Sequence, residues 1–163
     1  MKYLKLCSFK PNSTRANLLL LIGDKGGSKR QVKIETPKPS KQRNTFFRNI
    51  AYLEKKEILK IIQKNKKDLF LSLSVLGKAE YLALKLVYAD SLPEDTVCMV
   101  VFDIPEKQKK IRNLLRKFLI NNCFFPLQKS VWISPFDYSE VLVELFDLLN
   151  LKSQVRVFNA FEK

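Results

Sequence analysis

From residue 98 onward, apolar and polar positions fall into a regular series of strand and helix periods. Cys98, Met99, Val100, Val101 and Phe102 form an apolar run that stops at Asp103, and Pro105 then removes a backbone donor, so a buried strand ends there. Ile111, Leu114, Leu115, Phe118 and Leu119 follow at i, i+3, i+4, i+7 and i+8. They make one apolar helix stripe, with Lys109, Arg112, Arg116 and Lys117 on a solvated back. Phe124, Phe125, Pro126 and Leu127, read as core or hinge, lead into a strand through Val131, Trp132 and Ile133, where Trp132 packs a sheet face or a dimer contact. Asp137 is placed to cap a second helix with Glu140 at N3, and Val141, Leu142, Leu145, Phe146 and Leu149 give that helix an apolar face. Val155, Val157, Phe158 and Phe161 supply a last strand, completing a ferredoxin-like βαββαβ order over residues 91–163.

The first half has a different rhythm. Asn12 or Ser13 can cap a helix through Leu18, Leu19 and Ile22, which the glycines of GDKGG at 23–27 should end. Val32 and Ile34 alternate and Pro37 and Pro39 break the chain, so a second helix here is either short or replaced by extended backbone. From Ser40 to about Lys55, Phe46, Phe47, Ile50, Ala51 and Leu53 form the core face of a helix. Ile58, Leu59, Ile61 and Ile62 then read as a strand, Asn65-Lys66-Lys67-Asp68 as a turn, and Leu69, Leu71, Leu73 and Val75 as the return strand. A closing helix over LGKAEYLALKL follows. A helix followed at once by a basic-tipped hairpin is how a wing is built, so residues 1–90 are expected to form a winged helix-turn-helix and the whole chain to be α+β.

Charge separates the same two halves. Residues 1–90 hold 20 Lys+Arg against 7 Asp+Glu, and residues 91–163 hold 10 against 9, so nearly all of the net charge of +14 lies in the first half. Such an excess calls for a polyanion, and duplex DNA fits better than an anionic membrane because no helix carries a continuous Lys/Arg face. The apolar run Leu18–Ile22 is far shorter than the ~20 residues of a spanning helix, and a polar segment rather than a secretory leader precedes it, so a cytoplasmic protein is expected. Three cysteines without close pairing and no histidine argue against a zinc site. No Gly-rich phosphate loop is present, and no cofactor is expected.

Each residue turns a helix by about 100°. The side of the 40–55 helix opposite Phe46, Ile50 and Leu53 therefore carries Lys41, Asn44, Thr45, Arg48, Tyr52 and Lys55. Arg and Lys can bridge guanine O6 and N7, Asn can pair with adenine N6 and N7, and Lys, Thr and Tyr can hold phosphates. Lys64, Lys66 and Lys67 on the hairpin are placed to touch the backbone beside the groove. The competing reading of these residues is a solvated helix face.

VVFDIPEKQKKIRNLLRKFL followed by LQKSVWISPFD resembles the central domain of PaaX-type transcriptional repressors over roughly residues 95–163. That domain is itself similar to the small CRISPR adaptation endoribonuclease subunit, Cas two. The resemblance implies a DNA-binding regulator, a repressor acting as a homodimer on a palindromic operator, with no effector identified. Because the chain ends at Lys163, the C-terminal domain of full-length relatives, and any strand that CRISPR relatives carry after the core, are expected to be missing. The rival implied by the resemblance is a metal-dependent nuclease with the winged helix as its targeting module. Asp103 matches the position where the CRISPR relatives use an Asp and its dimer mate to hold a divalent metal such as Mg²⁺. The plainer role for Asp103 is to accept backbone N–H bonds at the start of the following helix.

Overall fold

The computed structural model describes residues 9–26, 31–38, 41–65 and 67–161, and these divide into two compact units between Leu84 and Lys85. In the first unit the order is α1 (Thr14–Gly26), β1 (Val32–Glu35), α2 (Lys41–Lys55), β2 (Leu59–Lys64) and β3 (Asp68–Leu73), followed by α3 (Val75–Val87). The extended alternative holds for residues 32–35. Val32 and Ile34 face inward and pair antiparallel with Leu71 and Leu69, giving a three-stranded sheet of order β1-β3-β2. That sheet buries Val32, Ile34, Leu59, Leu69 and Leu71 in one core with Leu18, Leu19 and Ile22 of α1 and with Ile50 and Leu53 of α2.

Ser13 caps α1, its Oγ accepting from the Ala16 N–H at 3.2 Å. The expectation that the glycines end this helix is corrected at Gly23, which lies inside it and is buried. Its missing side chain has a packing cause: a Cβ there would collide with the ring of Tyr81, whose hydroxyl donates to Asp24 Oδ1 at 2.7 Å. Gly77 plays the same part at the start of α3. A Cβ would run into the Ile58 carbonyl, the group that accepts from the Ser74 N–H at 3.0 Å.

The second unit contains β4 (Thr96–Phe102), a 3-10 turn (Glu106–Gln108), α4 (Lys109–Asn121), β5 (Phe125–Gln128), β6 (Val131–Ser134), α5 (Ser139–Leu148) and β7 (Val155–Phe161). Its four strands run antiparallel in the order β5-β6-β4-β7, the split βαβ arrangement of a ferredoxin-like unit. Cys98, Val100, Phe102, Trp132 and Val155 are buried, as are Leu115, Phe118 and Leu119 of α4 and Leu142, Leu145 and Phe146 of α5. Burial pushes the Cys98 thiol up to about 11, a backbone hydrogen bond from Tyr138 working against the rise and the Asp137 carboxylate adding to it.

Several expectations here are corrected. Asp137 does not cap α5: the cap residue is Tyr138, which makes no side-chain cap bond, and Asp137 instead accepts from the Ser139 hydroxyl at 2.9 Å. Arg112 and Arg116 are not a free solvated back. Arg112 pairs with Glu106 at 2.9 Å and Arg116 donates to the Lys129 carbonyl at 2.9 Å, tying α4 to the segments on either side of it. Of the segment leading into β6, Phe124 is core, whereas Phe125 and Leu127 are exposed. Among the described residues no helix is long and apolar enough to cross a membrane.

Three helices stop in the same way without a glycine. After α2, α4 and α5, the residues Glu57, Cys123 and Asn150 adopt φ of 57°, 58° and 56°. Around them the Ile58, Phe124 and Leu151 N–H groups reach back to the Leu53, Leu119 and Phe146 carbonyls at 3.0, 3.0 and 2.8 Å. This is the Schellman motif, with a buried apolar residue just beyond each stop. Left-handed backbone costs an L-residue free energy that glycine does not lose, so Glu57→Gly and Cys123→Gly should each raise stability by up to about 1 kcal/mol. Thermal unfolding checks this, and a lowered midpoint in both variants would show that the side chains outweigh the strain.

Candidate nucleic-acid interface

α2 is positioned by contacts that periodicity alone does not reveal. Asn49 is buried, and its Oδ1 accepts from Arg15 Nε at 3.3 Å; the Arg15 guanidinium also lies 3.7 Å above the Tyr52 ring. One arginine of α1 thus grips two successive turns of α2. Lys56 stands 5.9 Å from the same Tyr52 ring. Midway along the helix, Lys64 of β2 lies 4.4 Å over Phe47, and Arg43 lies 5.7 Å over it. The hairpin is fixed to its neighbours too. Asn65 N–H donates to the Asp68 carbonyl at 2.8 Å across the tip, and Lys33 of β1 pairs with Asp68 at 3.1 Å.

On the helix so held, Lys41, Asn44, Arg48 and Lys55 are exposed along one side, and Ala51, expected in the core, is exposed between Arg48 and Lys55. Thr45 is half-buried on the same helix. Tyr52 is also half-buried, and its ring is covered by Arg15, so it serves to hold α2 rather than to reach outward. Lys64 and Lys67 are exposed on the hairpin, and Lys66 lies outside the described residues. The residues that sequence reasoning missed are Arg15 and Asn49. The signal for Asn49 was its place in the wheel beside Ile50 and Leu53; Arg15 left none, because it sits on a different helix.

Asp103 belongs to the second unit and is exposed. Its backbone N–H donates to the Gln154 carbonyl at 2.9 Å, and the 3-10 turn that follows begins after Pro105 with no side-chain cap, so the proposed capping role is corrected. Among the described residues no group of three or more His, Cys, Asp or Glu side chains is gathered as a metal site. A lone exposed carboxylate leaves most of a divalent ion's coordination to water or to another chain.

Comparison with known proteins finds that residues 94–163 match the family model described as PaaX protein central Cas2-like domain. The match takes in the second unit from just before β4 to the end of the chain. No curated protein matches the sequence.

Proposed function

We propose, from the likeness of residues 94–163 to the central domain of PaaX proteins, that this chain is a DNA-binding transcriptional regulator. In this reading α1, α2 and the β2–β3 hairpin act as a winged helix-turn-helix in which β1 stands where a short second helix is usual. The observation that carries it is the exposed row Lys41, Asn44, Arg48, Ala51 and Lys55 along α2, followed at once by a hairpin bearing Lys64 and Lys67. Arg48 and Asn44 read base edges, while the lysines hold phosphates. Repression follows if the operator overlaps a promoter. A homodimer would place two copies of α2 on a palindrome and combine their affinities.

Arg48→Ala and Asn44→Ala should each lower discrimination between the operator and random duplex by roughly 1–3 kcal/mol, as expected for loss of a bidentate base contact. Lys67→Ala should weaken both targets alike. The operator is first isolated by selection from genomic fragments, and the two affinities are then measured by fluorescence anisotropy. An unchanged affinity ratio in Arg48→Ala would mean that α2 does not read sequence.

Asp103 separates this reading from nuclease chemistry. Asp103→Asn should leave operator affinity unchanged, because the residue's one hydrogen bond to the fold is through its backbone. Wild type and variant are incubated with single-stranded RNA, single-stranded DNA and duplex DNA, with Mg²⁺, Mn²⁺ or chelator. Metal-dependent cleavage that vanishes in Asp103→Asn would replace the regulator with a nuclease.

A further inference from the structure

The first unit carries a second basic feature apart from the exposed row of α2. A cleft of about 540 Å³ is lined by Lys33, Glu35, Lys38, Arg43, Lys67 and Asp68, with Thr36 and Pro37 in its wall. Its parts come from β1, from the chain that follows β1, from the first turn of α2 and from the hairpin. They are fastened together, since the Thr36 N–H and hydroxyl both donate to the Lys67 carbonyl, at 2.9 and 3.1 Å. The cleft is thus a concave surface built from segments distant in sequence.

Its charges do not balance. Lys33 and Asp68 neutralise each other at 3.1 Å. Lys38, Arg43 and Lys67 remain against Glu35, and none of these three cations forms an ion pair among the described residues. Arg43 is half-buried and lies 5.7 Å over the Phe47 ring, a contact that restrains its guanidinium. Lys64, over the same ring at 4.4 Å, adds a further positive charge nearby. Like charges held together repel until an anion enters, and a restrained guanidinium offers the planar fork that suits phosphate.

We propose that this cleft binds a phosphate group, with Arg43 making the forked contact and Lys38 and Lys67 supplying flanking charge. The excess of two positive charges over Glu35 matches a phosphate dianion. Two sources share this chemistry, a phosphate of the duplex backbone beside α2 and a free phosphorylated small molecule. The first rests on the DNA-binding reading above, and the second does not.

The test uses the full chain with arginine side-chain N–H groups observed by NMR, the Arg43 Nε–H being assigned with Arg43→Lys. Inorganic phosphate is titrated in, with chloride at matched ionic strength as the reference, and duplex DNA affinity is then measured against salt. A saturable Arg43 shift with phosphate but not chloride, weakened by Lys38→Gln and strengthened severalfold by Glu35→Gln, would support the site with free phosphate as ligand. The gain in Glu35→Gln cannot arise from misfolding. No response to free phosphate, but a log–log salt slope shallower by about one in Arg43→Gln with base selectivity kept, would support it with the DNA backbone as ligand. Wild-type DNA binding whose slope is the same in Arg43→Gln and Lys38→Gln, with no phosphate response, would overturn the cleft and leave the DNA reading standing. Phosphate binding without DNA binding would do the reverse, and absence of both would overturn both.

Discussion

Raising monovalent salt from about 50 to about 200 mM should weaken binding of this chain to duplex DNA by on the order of 10²-fold. The size follows from the exposed lysines. Lys41, Lys55, Lys64 and Lys67 lie on α2 and the hairpin. If each neutralises one phosphate, the log–log slope is about −0.9 for each, near −3.6 together, and a fourfold rise in salt then costs roughly 150-fold in affinity. Each Lys→Ala change in this set should make the slope shallower by about 0.9, while Lys110→Ala, on α4 of the second unit, should not alter it. A slope that is flat in wild type would remove the first unit from the interface, and one that Lys110→Ala changes as much as Lys64→Ala does would bring the second unit into it.

The second large effect is on stability. Phe146 is fully buried, and its ring meets Phe118 edge-on with centroids 6.5 Å apart, joining α5 to α4 over the sheet. Phe146→Ala removes that ring and leaves a cavity, at a cost of about 3–5 kcal/mol. Trp132 is the chain's single tryptophan and is buried in this unit, so its fluorescence follows the unfolding of this unit directly. The denaturant midpoint reported by Trp132 should fall steeply in Phe146→Ala and hardly move in Val143→Ala, since Val143 is exposed on the same helix. Equal shifts would mean that this packing is not what holds the unit together.

Much of the second unit was legible because its strands and helices follow one another with clean periods. The run Cys98–Phe102 and the stripe Ile111–Leu119 each bury one face, and nothing competes with that signal. Helix ends were harder to read. Glu57, Cys123 and Asn150 stop three helices through backbone hydrogen bonds, so none offers the glycine that a reader looks for. In the first unit Val32 and Ile34 showed extended chain, but their partners Leu71 and Leu69 lie across α2 and β2, and alternation cannot name a partner. On α2 the wheel separated Lys41, Asn44, Arg48 and Lys55 from the core. It erred at Ala51, since a small apolar residue carries little burial preference; Asn49 was not placed by it, and that residue's burial is made tolerable by Arg15 from another helix. Tyr52 was placed outward by the same wheel, although its ring lies under that arginine.

The strand order of the second unit also bears on how the chain comes off the ribosome. β4 is made first among the four strands yet is paired on both sides, with β6 and with β7, and its register with β7 runs from Thr96↔Phe161 to Phe102↔Val155. At about 5–20 residues per second, β4 waits several seconds for its second neighbour, and its long-range pairing must also overcome the entropy of closing that loop. Residues 9–84 complete their sheet earlier: β1 waits for β3 over fewer residues, and β3 is made before β4 begins. The nascent chain therefore passes through a stage in which the basic unit has all its strands while Val100 and its neighbours are still uncovered, and at that stage a chaperone that shields apolar surface has most to protect.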